Sequence, residues 1–480
     1  MMIKLLKYAV GVIFIMSFIG CGEIPQDLEG EIIDRGDLSR MDLSGRDLRG
    51  AHLNQSNLCG ANLSGANLSG AYLMSAWLMY ADLSGAELKN ANLISAYLTN
   101  ANLKGAELSH SNLMGTYLTG SDLSGAKLIG ARLMGASVKN SDLTDAKLSG
   151  SSLIGAYLIN SNLNNADLRG ADLEEAILTG ANFTGADLSG TILKGSKMQG
   201  TILVGVDLTG ADMTGVYLSD ADLTDAEMTD TRLFMADLSG ATMKNIHLAR
   251  GNFIGAYLNW ADISGGYLLD SRFSRASFYD ADLSNADLSD SDFTRAYLMW
   301  ANLTGSNLNR ARLDYADLTE ADLSGASLRE ATLRYSDFTR ADLSGADLTG
   351  VDLDSIRLTG ANLSNARLDG VDFTGFLIQD ANFNGASLKN ANLQTMYFIN
   401  TSFTGADLRG ATLFNVGTMG EVDLGGADLR RIKYDQPSLG YMSQLNLKGT
   451  IMDDSLRADI EALVKEAQAP GEACIGGPAL

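Results

Sequence analysis

Apolar side chains fall on every fifth position for most of this chain. Stepping by five from Leu38 to Leu413 meets 76 positions, of which 59 are leucine and 17 are Phe, Met, Ile or Val, as at Val138, Phe183, Met198 and Ile263. Two residues before each centre stands a small residue, mostly alanine, as at Ala61, Ala66 and Ala71. Asp or Asn usually precedes the centre, Ser or Thr follows it, and glycine often closes the unit. Ala61-Asn62-Leu63-Ser64-Gly65 and Ala186-Asp187-Leu188-Ser189-Gly190 show the pattern. A period of five suits neither a helix of about 3.6 residues per turn nor an alternating strand. It predicts a chain that turns a corner every five residues. The centre and the small residue then point inward, the Asp or Asn between them points outward, and Ser-Gly turns the corner with glycine supplying φ > 0. A narrow interior has no room for a second leucine at each corner, so alanine stands there. Proline would remove backbone donors, and none occurs between Pro25 and Pro437, which predicts stacked pairing throughout.

This A-(D/N)-L-x-x run covers about 390 of the 480 residues and is similar to the pentapeptide repeat family. The resemblance implies an all-β fold, a right-handed quadrilateral parallel β-helix with four units per coil. Seventy-six units then make about 19 coils, and at ~4.8 Å per coil a rod roughly 90 Å long. Each coil contacts mainly its neighbours, so stability sums along the stack.

Both ends depart from the repeat. Lys4 and Lys7 precede an apolar run from Tyr8 to Phe18, well short of the roughly 20 residues a membrane-spanning helix needs. That combination reads as a secretory signal peptide over residues 1–20. It ends Phe18-Ile19-Gly20-Cys21, which resembles the lipobox of bacterial lipoproteins, with Phe18 where that family prefers leucine. The resemblance implies cleavage before Cys21, lipid modification of that residue and a membrane anchor. Gly22, in place of aspartate, points to the outer membrane rather than the inner. An ordinary signal peptide is the alternative. Gly36, Met41 and Arg46 replace alanine in an atypical first coil, leaving 21–35 as a leader and 36–415 as the β-helix.

At the far end the register slips by one after Leu413, Leu424 and Leu429 follow the shifted phase, and Pro437 breaks the ladder. Irregular coils are expected over 416–452, with Leu447 and Met452 in a last partial turn. Leu456, Ile460, Leu463, Val464 and Ala467 then share one helix face. A helix over 453–467 is expected to cap the last coil, the alternative being a docking helix for a partner, and 468–480 is expected to be a flexible tail.

Composition removes several functions. A formal charge of −22 argues against sequence-independent nucleic-acid binding, which needs basic residues to displace counterions. Three cysteines cannot staple a chain of this length, and Cys59 and Cys474 lie toward opposite ends. His52, His110 and His247 are too far apart in coil order to share a site. No G-x-S-x-G, C-x-x-C or H-E-x-x-H occurs. No enzyme activity, cofactor or metal is expected.

Residues twenty apart should stack. The slot before the centre on one face reads Trp77, Tyr97, Tyr117, Ser137, Tyr157, then Tyr217, Tyr257, Tyr297 and Tyr397, so eight of its 19 positions are aromatic. The same slot on the other three faces has two aromatics in 57 positions, Tyr72 and Tyr267. Trp260 and Trp300 belong to the aromatic face as well. On the preceding face, the slot after the centre reads Met74, Ile94, Met114, Met134 and Ile154. The other two faces carry Asp42, Asp82, Asp122 and Asp142, and Asp47, Glu87 and Glu107. Stacked aromatics stabilise a sheet surface by themselves, but a continuous apolar patch marks an interaction site. The leading expectation is an exported, lipid-anchored rigid rod in the bacterial envelope, a scaffold that binds another protein or itself through this apolar side. Two rivals remain. One is a mimic of duplex DNA that binds DNA gyrase or a related topoisomerase, as acidic members of the family do, provided the chain is not exported. The other is a polysaccharide-binding rod whose rings stack on sugars.

Overall fold

The computed structural model describes residues 26–468. They form two compact units, divided between Ser277 and Phe278, and each winds in four-sided coils. In the first unit every outward residue before a centre from Asp27 to Tyr257 bridges, in parallel, the residue twenty positions on: Asp42 pairs Asn62, Asn62 pairs Asp82, and Trp77 pairs Tyr97. The hydrogen bonds explain the five-residue period. Leu63 N–H donates to Asp82 C=O at 2.6 Å, and Asp82 N–H donates to Ala61 C=O at 2.9 Å. At the corner, Gly65 N–H donates to Ser84 C=O at 2.8 Å, and Ala66 N–H donates back to Leu63 C=O at 3.0 Å. Each side thus bonds the coils before and after it and also closes its own turn. The centres from Leu43 to Phe273 are fully buried or within 1% of it. Serine or threonine in the alanine slot is equally buried, and several of these hydroxyls are satisfied locally, whereas those of Ser151, Ser196 and Ser306 have no hydrogen-bond partner among the described residues. Ser56 and Ser111 donate to the carbonyls of Leu53 and Leu108, both at 2.6 Å, and Thr116 donates to that of Leu113 at 2.7 Å.

The winding starts earlier than the sequence pattern suggested. Leu28 and Ile33 are already buried centres, and Asp27 and Ile32 bridge Asp47 and His52, so residues 26–35 form coil rather than a leader. Gln26 and Glu31 fill the alanine slot there because on a first coil that slot is exposed; it is half-buried at Gly36, Met41 and Arg46 and fully buried at Ala51. Arg46 reaches back to donate to Gln26 Oε1 at 2.7 Å.

In the second unit the coils lead into β1 (Leu377–Gln379), β2 (Tyr397–Ile399), β3 (Thr412–Leu413), β4 (Gly417–Met419), β5 (Lys433–Tyr434), α1 (Gln436–Met442) and α2 (Asp454–Gln468). β1, β2 and β4 form one parallel sheet in that order, and β3 pairs β5. Phenylalanines replace leucine here: Phe383 stacks on Phe403 at 4.9 Å, and Phe398 meets Phe403 edge-on at 5.0 Å. The extra residue enters beyond β4. Phe398 still pairs Thr418, twenty residues on, whereas Ser402 pairs Asp423, twenty-one on.

α1 is absent from the sequence reading. Pro437 begins it rather than only ending a ladder, since proline suits a first helical turn. Asp435 accepts from Ser438 N–H at 3.0 Å and from Asn415 N–H at 2.8 Å. Asn446 and Ile451 then bridge Asp423 and Asp428, a last partial turn. α2 buries Leu456 and Ile460; Tyr434 donates to Asp459 Oδ2 at 2.7 Å, and Arg431 N–H donates to Asp453 Oδ2 at 2.6 Å. An apolar cavity of about 30 Å³ lies where the last coils meet α1.

Candidate interaction surface

The outward slot before the centre has a structural duty wherever Asp or Asn fills it. Asp42 Oδ1 accepts the Ser44 amide at 3.1 Å, and Asp82 Oδ1 accepts that of Ser84 at 3.0 Å, so the side chain braces its own corner. Asn also links coils: Asn62, Asn102 and Asn162 donate to Asp42, Asp82 and Asp142 at 3.0, 2.9 and 3.3 Å. Basic residues on neighbouring coils answer other acids. Glu107 lies within 3.5 Å of Lys127 and 4.0 Å of Lys89, and Asp212 within 3.3 Å of Lys194. Burial works to raise the Glu107 pKa, but the Ser109 hydroxyl and amide, with the two lysines, outweigh it and lower it. At the start of the winding, Asp27, Glu29 and Asp47 cluster within reach of one cation, yet Arg49 already pairs Glu29 at 3.2 Å and Asp47 at 2.6 Å.

An aromatic residue in that slot braces no corner. Trp77, Tyr97, Tyr117, Ser137 and Tyr157 do stack as one ladder in the first unit, and the four rings are exposed. Tyr97 and Tyr117 lie parallel at 4.9 Å and cover one face of each other, the face a sugar ring would need. Lys139 sits 5.0 Å over the ring of Tyr157. The adjoining column is less available than its sequence suggests. Met74 is exposed, whereas Ile94, Met114, Met134 and Ile154 are half-buried against their neighbours.

Tyr80 was missed, although its signal is in the sequence: tyrosine stands where glycine usually turns the corner. Its φ is +59° and it is 69% exposed, in a left-handed conformation that costs a bulky residue roughly 1–2 kcal/mol. With Tyr72, Met74 and Trp77 it makes two adjoining sides of one coil aromatic or apolar and exposed. The same corner recurs in the first unit, where Phe234, Met235, Tyr257 and Trp260 are exposed and Met235 and Trp260 again have positive φ. In the second unit Tyr297, Leu377 and Tyr397 are exposed, and Trp300 Nε1 donates to Glu320 at 2.9 Å. Cys59 is a free, half-buried thiol. Cys21, the segment before it, and the tail with Cys474 lie outside the described residues. No described helix is long and apolar enough to cross a membrane.

Among solved structures, HetL, a pentapeptide repeat protein involved in heterocyst differentiation regulation from the cyanobacterium Nostoc, is 31% identical over 49% of this chain and 88% of its own, with a TM-score of 0.23. QnrB1, a plasmid-mediated fluoroquinolone resistance protein, is 17% identical over 47% of this chain and 99% of its own, with a TM-score of 0.19. A pentapeptide repeat protein of the Arabidopsis thaliana thylakoid lumen is 32% identical over 22% of this chain and 61% of its own, with a TM-score of 0.13. No curated protein sequence matches. The family model for pentapeptide repeats matches in successive segments from 37–76 to 378–413. With its twenty-residue coils and buried five-residue centres, the chain belongs to the pentapeptide repeat family.

Proposed function

We propose that this chain is an exported scaffold of the bacterial envelope, lipid-anchored through Cys21, whose aromatic corner binds another protein or a second copy of itself. About nineteen coils carry that corner at Tyr72–Tyr80 and again at Phe234–Trp260, and α2 caps the last coil. One observation carries the binding role: Tyr80 occupies a left-handed corner where glycine would be more stable, beside exposed Trp77, Tyr72 and Met74. Side chains retained against local stability gather at sites of recognition, and ladder stabilisation does not account for Tyr80, which has Gly60 and Asn100 on the coils before and after it, unlike the corner rings of Tyr315 and Tyr335, which stack at 4.9 Å. Stacking of Tyr97 on Tyr117 favours protein over polysaccharide as the partner, because it removes ring faces from contact.

Sedimentation and pull-down of the parent, a Trp77→Ser/Tyr80→Gly variant and a Met74→Ser/Met114→Ser/Met134→Ser variant test the surface. Association should fall in the first variant and less in the second, whose side chains are mostly half-buried. Unchanged association in both would sink the surface. Incorporation of labelled fatty acid, compared between the parent and Cys21→Ser, tests the anchor separately.

A further inference from the structure

Two coils of the first unit carry the same pair of rings on the same side. Ala76-Trp77-Leu78-Met79-Tyr80 and Ala256-Tyr257-Leu258-Asn259-Trp260 each place one ring in the slot before the centre and one at the corner. All four rings are exposed. Tyr80 and Trp260 hold φ of +59° and +58°, a conformation that glycine takes without strain and a bulky residue does not. The two sites are in line. Parallel bridges run without a break from Trp77 through Tyr97, Tyr117, Tyr157 and Tyr217 to Tyr257, nine in all and each twenty residues long. At ~4.8 Å per coil, Trp77 and Tyr257 stand about 43 Å apart along one column. Between them the corner column holds only glycine, asparagine or aspartate, so bulky rings mark its two ends. In the second unit Tyr297 and Trp300 repeat the pair, but there Trp300 is held by its own unit, donating to Glu320 and lying 5.0 Å from the ring of Tyr279.

Charge singles out the same side. Over the ten coils from 76–80 to 256–260 it bears Lys139, Lys197, Asp220 and Asp237, two charges of each sign, and no others. The side that follows, from 81–85 to 261–265, bears seven acids and two lysines. A chain of formal charge −22 repels its own copies except across a surface without net charge. The slot column adds Tyr97, Tyr117, Tyr157 and Tyr217, all exposed, between the two end sites. Aromatic enrichment with few charges is the composition of an interface core.

Given the binding role of the aromatic corner, on which this rests, we propose that its occupant is a second copy of this chain, laid along the same side of the first unit so that both ring pairs engage at once. Any partner that uses both sites must itself carry two contacts about 43 Å apart in one line. A second copy has that spacing whichever way it runs. Trp and Tyr supply most of the energy of an interface once desolvated, so the two ends anchor the pair, and the tyrosines between them fill the contact. Two contacts on one stack form together, and losing either removes the gain of simultaneous binding.

Sedimentation velocity over a range of concentrations tests this, on each protein alone and in fluorescently labelled mixtures. Five proteins are compared: the parent, Tyr80→Gly, Trp260→Gly, a chain lacking 161–180 and a chain lacking 171–180. The first deletion removes one whole coil and keeps both sites on one side. The second removes half a coil and turns them onto opposite sides. The parent should self-associate, and Tyr80→Gly and Trp260→Gly should each do so at least about tenfold more weakly. The chain lacking 161–180 should pair with itself as the parent does, yet pair with the parent at least about tenfold more weakly, because its sites are one coil out of step. The chain lacking 171–180 should pair no better than Tyr80→Gly. Circular dichroism matching the parent shows that each variant keeps its fold. A parent that stays monomeric would overturn the pairing; if it still captured a different protein through Tyr80, the corner would keep its binding role and only the occupant would be wrong. Mixed pairs of the parent and the chain lacking 161–180 that are as tight as either alone would also overturn it, since spacing would then not matter.

Discussion

At the residue scale, what an inward position accepts depends on the centre beside it. Gly251 stands where alanine is usual, crowded between the centres Leu248 and Phe253. A Cβ on Gly251 would lie 2.5 Å from Leu248 Cδ2 and 2.8 Å from Phe253 Cε2. Gly251→Ala should therefore destabilise the first unit by about 1–3 kcal/mol, as overpacking does, whereas Leu118→Ala should cost about 2–5 kcal/mol by opening a cavity. Thermal or urea unfolding measures both. The corner position behaves oppositely. Asn100, Asn140 and Asn160 adopt φ near +55°, and Asn tolerates it; Tyr80 does not. Tyr80→Gly should leave stability unchanged or raise it by up to about 1 kcal/mol while weakening association. A clear loss of stability would show that the ring packs for the fold's sake.

At the element scale, stacked acids are managed by alternation with asparagine. Charge counting alone suggests that asparagine merely dilutes repulsion, but the Asn102 amide donates to Asp82 at 2.9 Å and so turns a repulsive contact into a bond. Asn102→Asp would place three carboxylates in line with Asp82 and Asp122. It should lower the melting temperature at low salt and recover part of the loss at high salt, where the charges are screened. The C-terminal elements answer to a different group. Tyr434 has its pKa raised to about 12 because its hydroxyl donates to Asp459, with burial adding to the effect. A group whose folded pKa is raised stabilises fully below its unfolded pKa of about 10 and loses that contribution as pH climbs through about 12. Exchange of α2 amides should therefore quicken across that window in the parent and show no such step in Tyr434→Phe.

At the scale of the whole molecule, the acidic surface sets the response to pH. The Ser44 hydroxyl and amide lower the pKa of Asp42, and the guanidiniums of Arg49, Arg169, Arg409 and Arg430 lower those of Asp47, Asp167, Asp407 and Asp428. Depressed carboxylates stabilise above their ordinary value of 3.8 and lose that contribution as pH falls through the lower folded values. Stability should therefore be level near neutrality and drop below about pH 4, which acid titration followed by circular dichroism would detect. The coil was legible in the sequence because each unit specifies itself: Leu63 is buried, Asn62 braces the corner and Gly65 turns it without help from distant residues. The early start at Leu28 was hidden because Gln26 and Glu31 break the alanine rule, and only their place on an exposed first coil makes that harmless. Ala458-Asp459-Ile460 shows the converse, since it repeats the motif yet lies within α2, with no corner glycine to turn it and helix formers on both sides. The linear order of residues determined the period, the buried centres and the column each side chain joins, because those follow from local backbone geometry repeated without change. Tertiary structure alone decided how exposed the Met114 column is, that Pro437 opens a helix, and that β4 pairs β2 and forms the edge of its sheet, because each depends on which chain segment comes to lie alongside.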